Sequence, residues 1–341
     1  MSFLNEDDIG TLTIKRMIFH VVGKNLPGPI LLSEISPPAF TDFFLARVKS
    51  AMTGNLFEFK STSNTEKILR EISKDGLTFA INSQLLAADF QTRHSGTTSA
   101  GVFFLFELGY KINQTIYALI KYDNEDVVRY VVGTGNLPVP SLERFQESFV
   151  RKADAMQKIA LVYLMEAQGG KIIVRDRSNT SHISDYFEGF LDARRINSPA
   201  EMSVKVVDAF KQTFKKHKDI LPPEVQRSGV SRIYEAMGQA DSVFGPENCE
   251  AMLGAIFGNL EADSPLLKTL RRELKERGVA DETFKIDRTQ IPKPKRHVME
   301  TAEGIQIKYD DGKRPNIRNL PDGRKEIVIT TAKVTRDDLE N

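Results

Sequence analysis

The side chains able to do chemistry in this chain fall into acidic, glycine-rich, thiol and basic groups. Glu107 and Lys111 flank the end of an apolar run, and Asp123, Glu125 and Asp126 fill the turn after the next one. Metal-dependent cleavage of a phosphodiester needs two or three carboxylates converging on Mg²⁺, commonly with a lysine nearby. The residue types are present, but their spacing follows no known motif, and a solvated acidic turn is the plainer reading. The five histidines, His20, His94, His182, His217 and His297, are scattered, and only Asp176, His182 and Asp185 resemble a ligand group. Without an HExxH-like pattern the expectation for these three is surface and capping work, and no metal or other cofactor is expected. GTGN (133–136) is a lone GxG followed by Pro138 rather than by a helix, so it reads as a turn and not as a phosphate cradle. Walker A and GxSxG motifs are absent. Cys249 sits between Glu247 and Glu250, neighbours that raise a thiol pKa, and a structural thiol is expected.

The basic group remains. The segment 205–218 carries Lys205, Lys211, Lys215, Lys216 and Lys218 against Asp208. Leu270–Arg277 carries Arg271, Arg272, Lys275 and Arg277, and IPKPKRH adds Lys293, Lys295 and Arg296. Phosphate backbones ask for such clusters, because each neutralised phosphate releases condensed counterions. The competing reading is a solvated helix face. Tryptophan is absent, no basic and aromatic residues interleave for base stacking, and no recognition helix stands out, so any DNA contact is expected to be sequence-independent.

Composition constrains the host of these groups. A chain of 341 residues exceeds the usual limit of one core, which favours two domains. With 47 Lys and Arg against 46 Asp and Glu the net charge is +1, so binding to nucleic acid must come from a local patch. A single cysteine excludes an internal disulfide and fits a reducing cytosol. The N-terminal segment carries Glu6, Asp7 and Asp8 where a secretory signal has basic residues. Arg151, Lys152, Asp154 and Lys158 interrupt the most apolar window, 149–165, well short of the roughly 18 apolar residues of a membrane span. A soluble, unexported protein with no membrane partner is expected.

Along the chain, 14–22, 30–35 and 56–59 read as strands. Phe40, Phe43, Phe44, Val48 and Met52 recur at helical spacing, and Phe79, Leu85, Leu86 and Phe90 fall near one face of a helix at 79–94. Ser63 to Glu66 and Ser198 to Glu201 have the form of capping boxes. The runs 101–110 and 114–123, separated only by KIN, form a hairpin. Ile159–Met165 and Lys171–Arg175 are further strands, the first equally readable as a helix end. The expected fold class is α+β. An N-terminal domain (1–178) has helices on one side of a mixed or largely antiparallel sheet. A mainly helical domain (179–341) follows, with Val206, Val207, Phe210 and Phe214 buried in its first long helix. It ends in a small β-hairpin that pairs 304–310 with 325–334.

One ordered series of segments resembles a known family. IKRMIFHVV leads into helices, GVFFLFELGYKINQTIYALI follows, then a strand and an aromatic helix with Tyr186, Phe187, Phe190 and Leu191 in DYFEGFL. Phe284-Lys285-Ile286-Asp287-Arg288 comes last, ahead of terminal strands. From about residue 14 to about 333 the chain resembles the NdpA/YejK family of bacterial nucleoid-associated proteins. The resemblance implies a non-enzymatic protein that binds double-stranded DNA without strong sequence preference, in the cytoplasm and nucleoid. It implies structural roles for the matching aromatics and an ion pair between Asp287 and Arg288. It supplies no catalytic residues. A homodimer is the expected assembly. Two other readings stay open: a metal-dependent nuclease or defence protein acting on foreign DNA, and an adaptor for a nucleic-acid enzyme.

Overall fold

Val102–Phe106 and Ile116–Ile120 are apolar at every position and have no solvent face to offer, and the fold encloses them. The computed structural model describes residues 4, 6–23, 26–50, 52–93, 101–110, 114–123, 131–132, 140–141, 156–179, 181–239, 242–258, 263–291, 296–310 and 312–334. Helix α1 (Glu6–Gly10) precedes β1 (Thr13–Val22), α2 (Thr41–Ser50), β2 (Asn55–Phe59), α3 (Asn64–Lys74) and α4 (Phe79–Thr92). The apolar runs become β3 (Gly101–Tyr110) and β4 (Gln114–Asp123), paired in register from Gly101 opposite Asp123 to Tyr110 opposite Gln114. Short β5 (Val131–Val132) and β6 (Pro140–Ser141) pair with each other. Then come β7 (Met156–Leu164), which settles the ambiguous segment as strand, β8 (Gly170–Asp176), α5 (Asp185–Leu191) and β9 (Ala193–Arg195). Seven strands form one sheet in the order β1-β3-β4-β7-β8-β2-β9, and every pairing in it is antiparallel.

Both faces of the sheet are covered, which corrects the expectation of helices on one side. On one face Phe19, Phe104, Phe106 and Leu161 pack under α2, whose Phe44 lies 5.2 Å from the rings of Phe104 and Phe106. On the other, Phe103, Leu105, Leu119 and Val162 pack under α3, α4 and α5. There Phe90 stacks on Phe103 at 4.9 Å and meets Phe190 edge-on at 5.0 Å. A sheet buried on both sides needs apolar residues at consecutive positions, which is why these strands lack alternation. The aromatic stripe of α5 is core: Phe187, Phe190 and Leu191 are buried.

Residues 30–35 are not a regular strand. They run beside the edge strand β1, held by the Val21–Ile30 bridge and by Ile35 N–H donating to Met17 O at 3.0 Å. Between these ties Leu32 N–H donates to His20 Nδ1 at 3.1 Å, which leaves Nε2–H to donate to Ser83 Oγ of α4 at 2.9 Å. The buried imidazole is thus fixed as the neutral tautomer, and burial pushes its pKa down from 6.5 to about 4. A proton taken up by the unfolded chain below pH 6.5 is refused by the fold until about pH 4. Stability therefore rises with pH across this window and is lost as pH falls through it, by on the order of 3 kcal/mol in total. Urea titrations of wild type and His20→Gln between pH 4 and 7 test this. Their stability difference should change with pH by that amount, and a pH-independent difference would rule out a neutral His20.

Ser198 and Glu201 form a complete capping box, each side chain bonding to the other's backbone N–H. At Ser63 only half forms. Ser63 Oγ accepts from Glu66 N–H at 3.1 Å, but Glu66 Oε1 turns away to Arg70 Nε and to Gly169 N–H, each at 2.7 Å.

The long capped helix is α6 (Pro199–His217), followed by α7 (Pro223–Met237), β10 (Val243–Phe244), α8 (Cys249–Phe257), α9 (Pro265–Glu276) and β11 (Phe284–Lys285), with β10 and β11 paired. Met202, Val206, Val207, Phe210 and Phe214 of α6 belong to a separate core with Leu253, Leu270 and Phe284. Gly229 lets α7 close on α6, since a Cβ there would lie 2.2 Å from the Phe214 ring. Asp287 and Arg288 do not pair with each other. Asp287 caps the next turn, accepting from Thr289 N–H at 2.9 Å, and Arg288 donates to Gly238 O at 3.0 Å.

The chain forms two compact units, Met1–Ile291 and Pro292–Asn341. The second contains two hairpins, β12 (Arg296–Glu300) with β13 (Gln306–Asp310) and β14 (Asn316–Asn319) with β15 (Lys325–Val328). The expected pairing of 304–310 with 325–334 is thus replaced by two local ones. Each turn carries a glycine at positive φ, Gly304 at 83° and Gly323 at 84°, which favours closure on the nearest neighbour.

Candidate nucleic-acid interface

Among the described residues the acidic candidates do not converge on a site. Asp176 Oδ1 accepts from Lys158 Nζ at 2.7 Å and from Ser178, and Oδ2 accepts from Ser184 N–H and Oγ at 2.9 Å. Burial works against its charge, yet the bonds from Lys158, Ser178 and Ser184 hold the carboxyl below its ordinary pKa. Asp176 is thereby occupied as the buried anchor between β7, β8 and the start of α5, without His182 or Asp185. Among the described residues no group of three or more His, Cys, Asp or Glu is placed to hold a metal ion. Glu107 is half-buried, its pKa raised by burial and lowered in part by Arg16 and Lys15. Lys111, Glu125, Asp126, His94 and the GTGN segment lie outside the described residues, and β4 ends at Asp123. Cys249 is buried, and burial pushes its thiol up to about 11; Glu250 adds to the shift and Arg271 opposes it. Desolvation, more than the flanking glutamates, sets that value.

The eleven basic candidates separate by what they touch. Lys216 is structural in part. Its Nζ donates to Glu273 Oε1 at 2.5 Å, and Arg277 reaches Glu273 Oε2 at 2.6 Å, so one buried carboxylate ties α6 to α9. The Lys216 bond is the main reason that Glu273 stays below the ordinary carboxylate pKa. His217 and Thr269 form a second tie at 2.8 Å. Lys205 donates to Asn197 at 3.0 Å. Lys211 lies 3.7 Å from Asp208 with its Nζ 4.9 Å above the Tyr234 ring of α7. Arg271 and Arg272 face Glu250 and Glu276 at 3.8 Å, in exposed pairs. Lys215, Lys218 and Lys275 are exposed, and among the described residues they make no ion pair. Arg296 belongs to the second unit and faces Asp310 across β12 and β13 at 3.3 Å; Lys293 and Lys295 lie outside the described residues.

Lys268 escaped the sequence reading. It is exposed on α9, and among the described residues its ion-pair partner is the exposed Asp263, at 3.4 Å. Its spacing to Arg272 and Lys275, four and seven residues, places all three on one helical stripe and was the signal for it. On the solvent side of α6 and α9, cations thus outnumber the acids that answer them, although the whole chain is nearly neutral.

No helix among the described residues is long and apolar enough to cross a membrane. No curated protein matches the chain. The family model described as nucleoid-associated protein YejK matches residues 18–335, nearly the full length, and the chain belongs to that family of nucleoid-associated proteins.

Proposed function

We propose that this protein binds double-stranded DNA through the phosphate backbone, with little sequence preference, in the nucleoid of the bacterial cytoplasm and as a homodimer. The observation that carries this reading is the solvent face of α6 and α9. Lys215, Lys218 and Lys275 are exposed there without ion pairs among the described residues, and the same two helices carry Lys211, Lys268, Arg271 and Arg272. The partners of these last four are exposed carboxylates at 3.4 to 3.8 Å. Surface pairs of that kind contribute about 0–1 kcal/mol and yield readily to a polyanion. Lysine and arginine side chains exposed on two packed helices supply cations suited to phosphates, and no recognition helix among them is set to read base edges. Membership of a nucleoid-associated family supports the same reading.

A salt titration on two duplexes of unrelated sequence tests it. Affinities for the two should agree within a few-fold, and both should fall at least about tenfold between 50 and 200 mM salt if several phosphates are contacted. Affinity that is insensitive to salt, or confined to one sequence, would contradict the proposal.

A further inference from the structure

The outer face of α4 has the wrong chemistry for solvent. Its inner face packs on the sheet through Phe79, Leu86 and Phe90. Yet Leu77, just before the helix, and Ile81 and Leu85 within it are 94%, 62% and 52% exposed. Their spacing of four residues sets them in one stripe along the helix, opposite the buried face. A helix that is apolar on both sides is normally covered on both. Between Gly76 and Thr92 the one charged residue is Asp89, and its Oδ1 is taken by Arg93 at 3.2 Å.

From this stripe we infer that α4 is the surface on which two copies of this chain meet, an inference that rests on the homodimer reading above and names its contact. Charge decides in favour of a second copy over a charged partner. A face without net charge meets its own image without repulsion, whereas a stripe built for a charged partner would carry the opposite sign. The rim fits as well. The neighbouring helix α3 exposes Lys67, Glu71 and Lys74, with Lys74 on Glu71 at 2.8 Å, so both signs border the stripe. A two-fold axis through Ile81 sets Leu77 against the partner's Leu85 and Ile81 against its own image, the self-complementary contact of a closed dimer. The stripe is short, about 12 Å from Leu77 to Leu85 at 1.5 Å per residue. The contact falls at the small end of specific interfaces, below about 1,200 Å² in total, so the dimer should be concentration-dependent, with a dissociation constant in roughly the micromolar range.

The test is sedimentation of the full chain from about 1 to 100 µM, a span that brackets micromolar dissociation, for wild type and for Ile81→Glu with Leu85→Glu. Wild type should pass from monomer to dimer. The double variant, with both positions already half-exposed or more, should keep the wild-type melting temperature of the monomer and dissociate at least tenfold more readily. Oxidative cross-linking fixes the geometry. Ile81→Cys should give a covalent dimer and Leu77→Cys should not, while Leu77→Cys with Leu85→Cys should; the parent protein, with only buried Cys249, is the control. A wild-type dimer that the double variant leaves intact would overturn the α4 contact and leave the homodimer standing. A wild type that stays monomeric at every concentration would overturn both.

Discussion

Arg195→Ala is expected to cost about 3–5 kcal/mol of folding stability, the usual result of removing one partner of a buried ion pair. The Glu282 side chain has no solvent exposure and Arg195 Nη2 sits 2.8 Å from its Oε2. The same guanidinium donates to Asn55 Oδ1 at 2.6 Å, to Thr283 O at 2.8 Å and to Ser181 O at 3.2 Å. Glu282 Oε1 accepts from Leu56 N–H at 3.0 Å, and Asn55 Oδ1 from Thr283 N–H at 2.8 Å. This network fastens β2 and β9, at the edge of the sheet, to the segment that leads into β11. Without Arg195 a desolvated carboxylate and three acceptors lose their donor together. Glu282→Gln should cost less, because its amide oxygen can still accept from Leu56. Urea unfolding measures both, and a loss below about 1 kcal/mol for Arg195→Ala, the size of a surface pair, would mean that the network is solvated.

Phe190→Ala carries the second large effect, about 3–5 kcal/mol, as expected for emptying a fully buried aromatic site. The ring is 1% exposed and lies 5.0 Å from Phe90, 5.7 Å from Phe103 and 6.2 Å from Phe187. Three elements, α4, β3 and α5, lose contacts at once, and rigid strands leave little room to collapse into the gap. DNA affinity at a temperature where the variant remains folded should be unchanged, because the ring faces the sheet. An unaltered melting temperature with lost DNA binding would make the stripe of α5 a partner surface instead.

Legibility in the sequence followed the range of the interactions. The β3–β4 hairpin, the α5 stripe and the Ser198 box were readable because each depends on residues a few positions apart. The Ser63 box had the same letters, but Glu66 is claimed by Gly169, 103 residues away, and no local pattern carries that. Lys216 looked like any other lysine on its helix until Glu273 proved to be its partner 57 residues later. Strand character alone does not fix the pairing of the terminal segments; Gly304 and Gly323, whose positive φ closes each turn locally, decide it. The cover on both sheet faces is implicit in the unbroken apolar runs, which leave neither face for solvent. Leu77, Ile81 and Leu85 show the reverse case. The sequence put Leu85 on a buried helix face, and only the packing reveals which side of α4 the sheet takes.

The central claim is that the solvent face of α6 and α9 contacts DNA phosphates, and the variant Lys215→Gln, Lys218→Gln, Lys275→Gln tests it most directly. These lysines make no ion pair among the described residues, so their loss should move stability by less than about 0.5 kcal/mol. Binding isotherms on two unrelated duplexes across a salt series are the measurement. The account predicts a folded protein with weaker affinity for both duplexes alike, and a salt slope flatter by roughly one for each phosphate contact removed. A folded triple variant with wild-type affinity and an unchanged slope would contradict it.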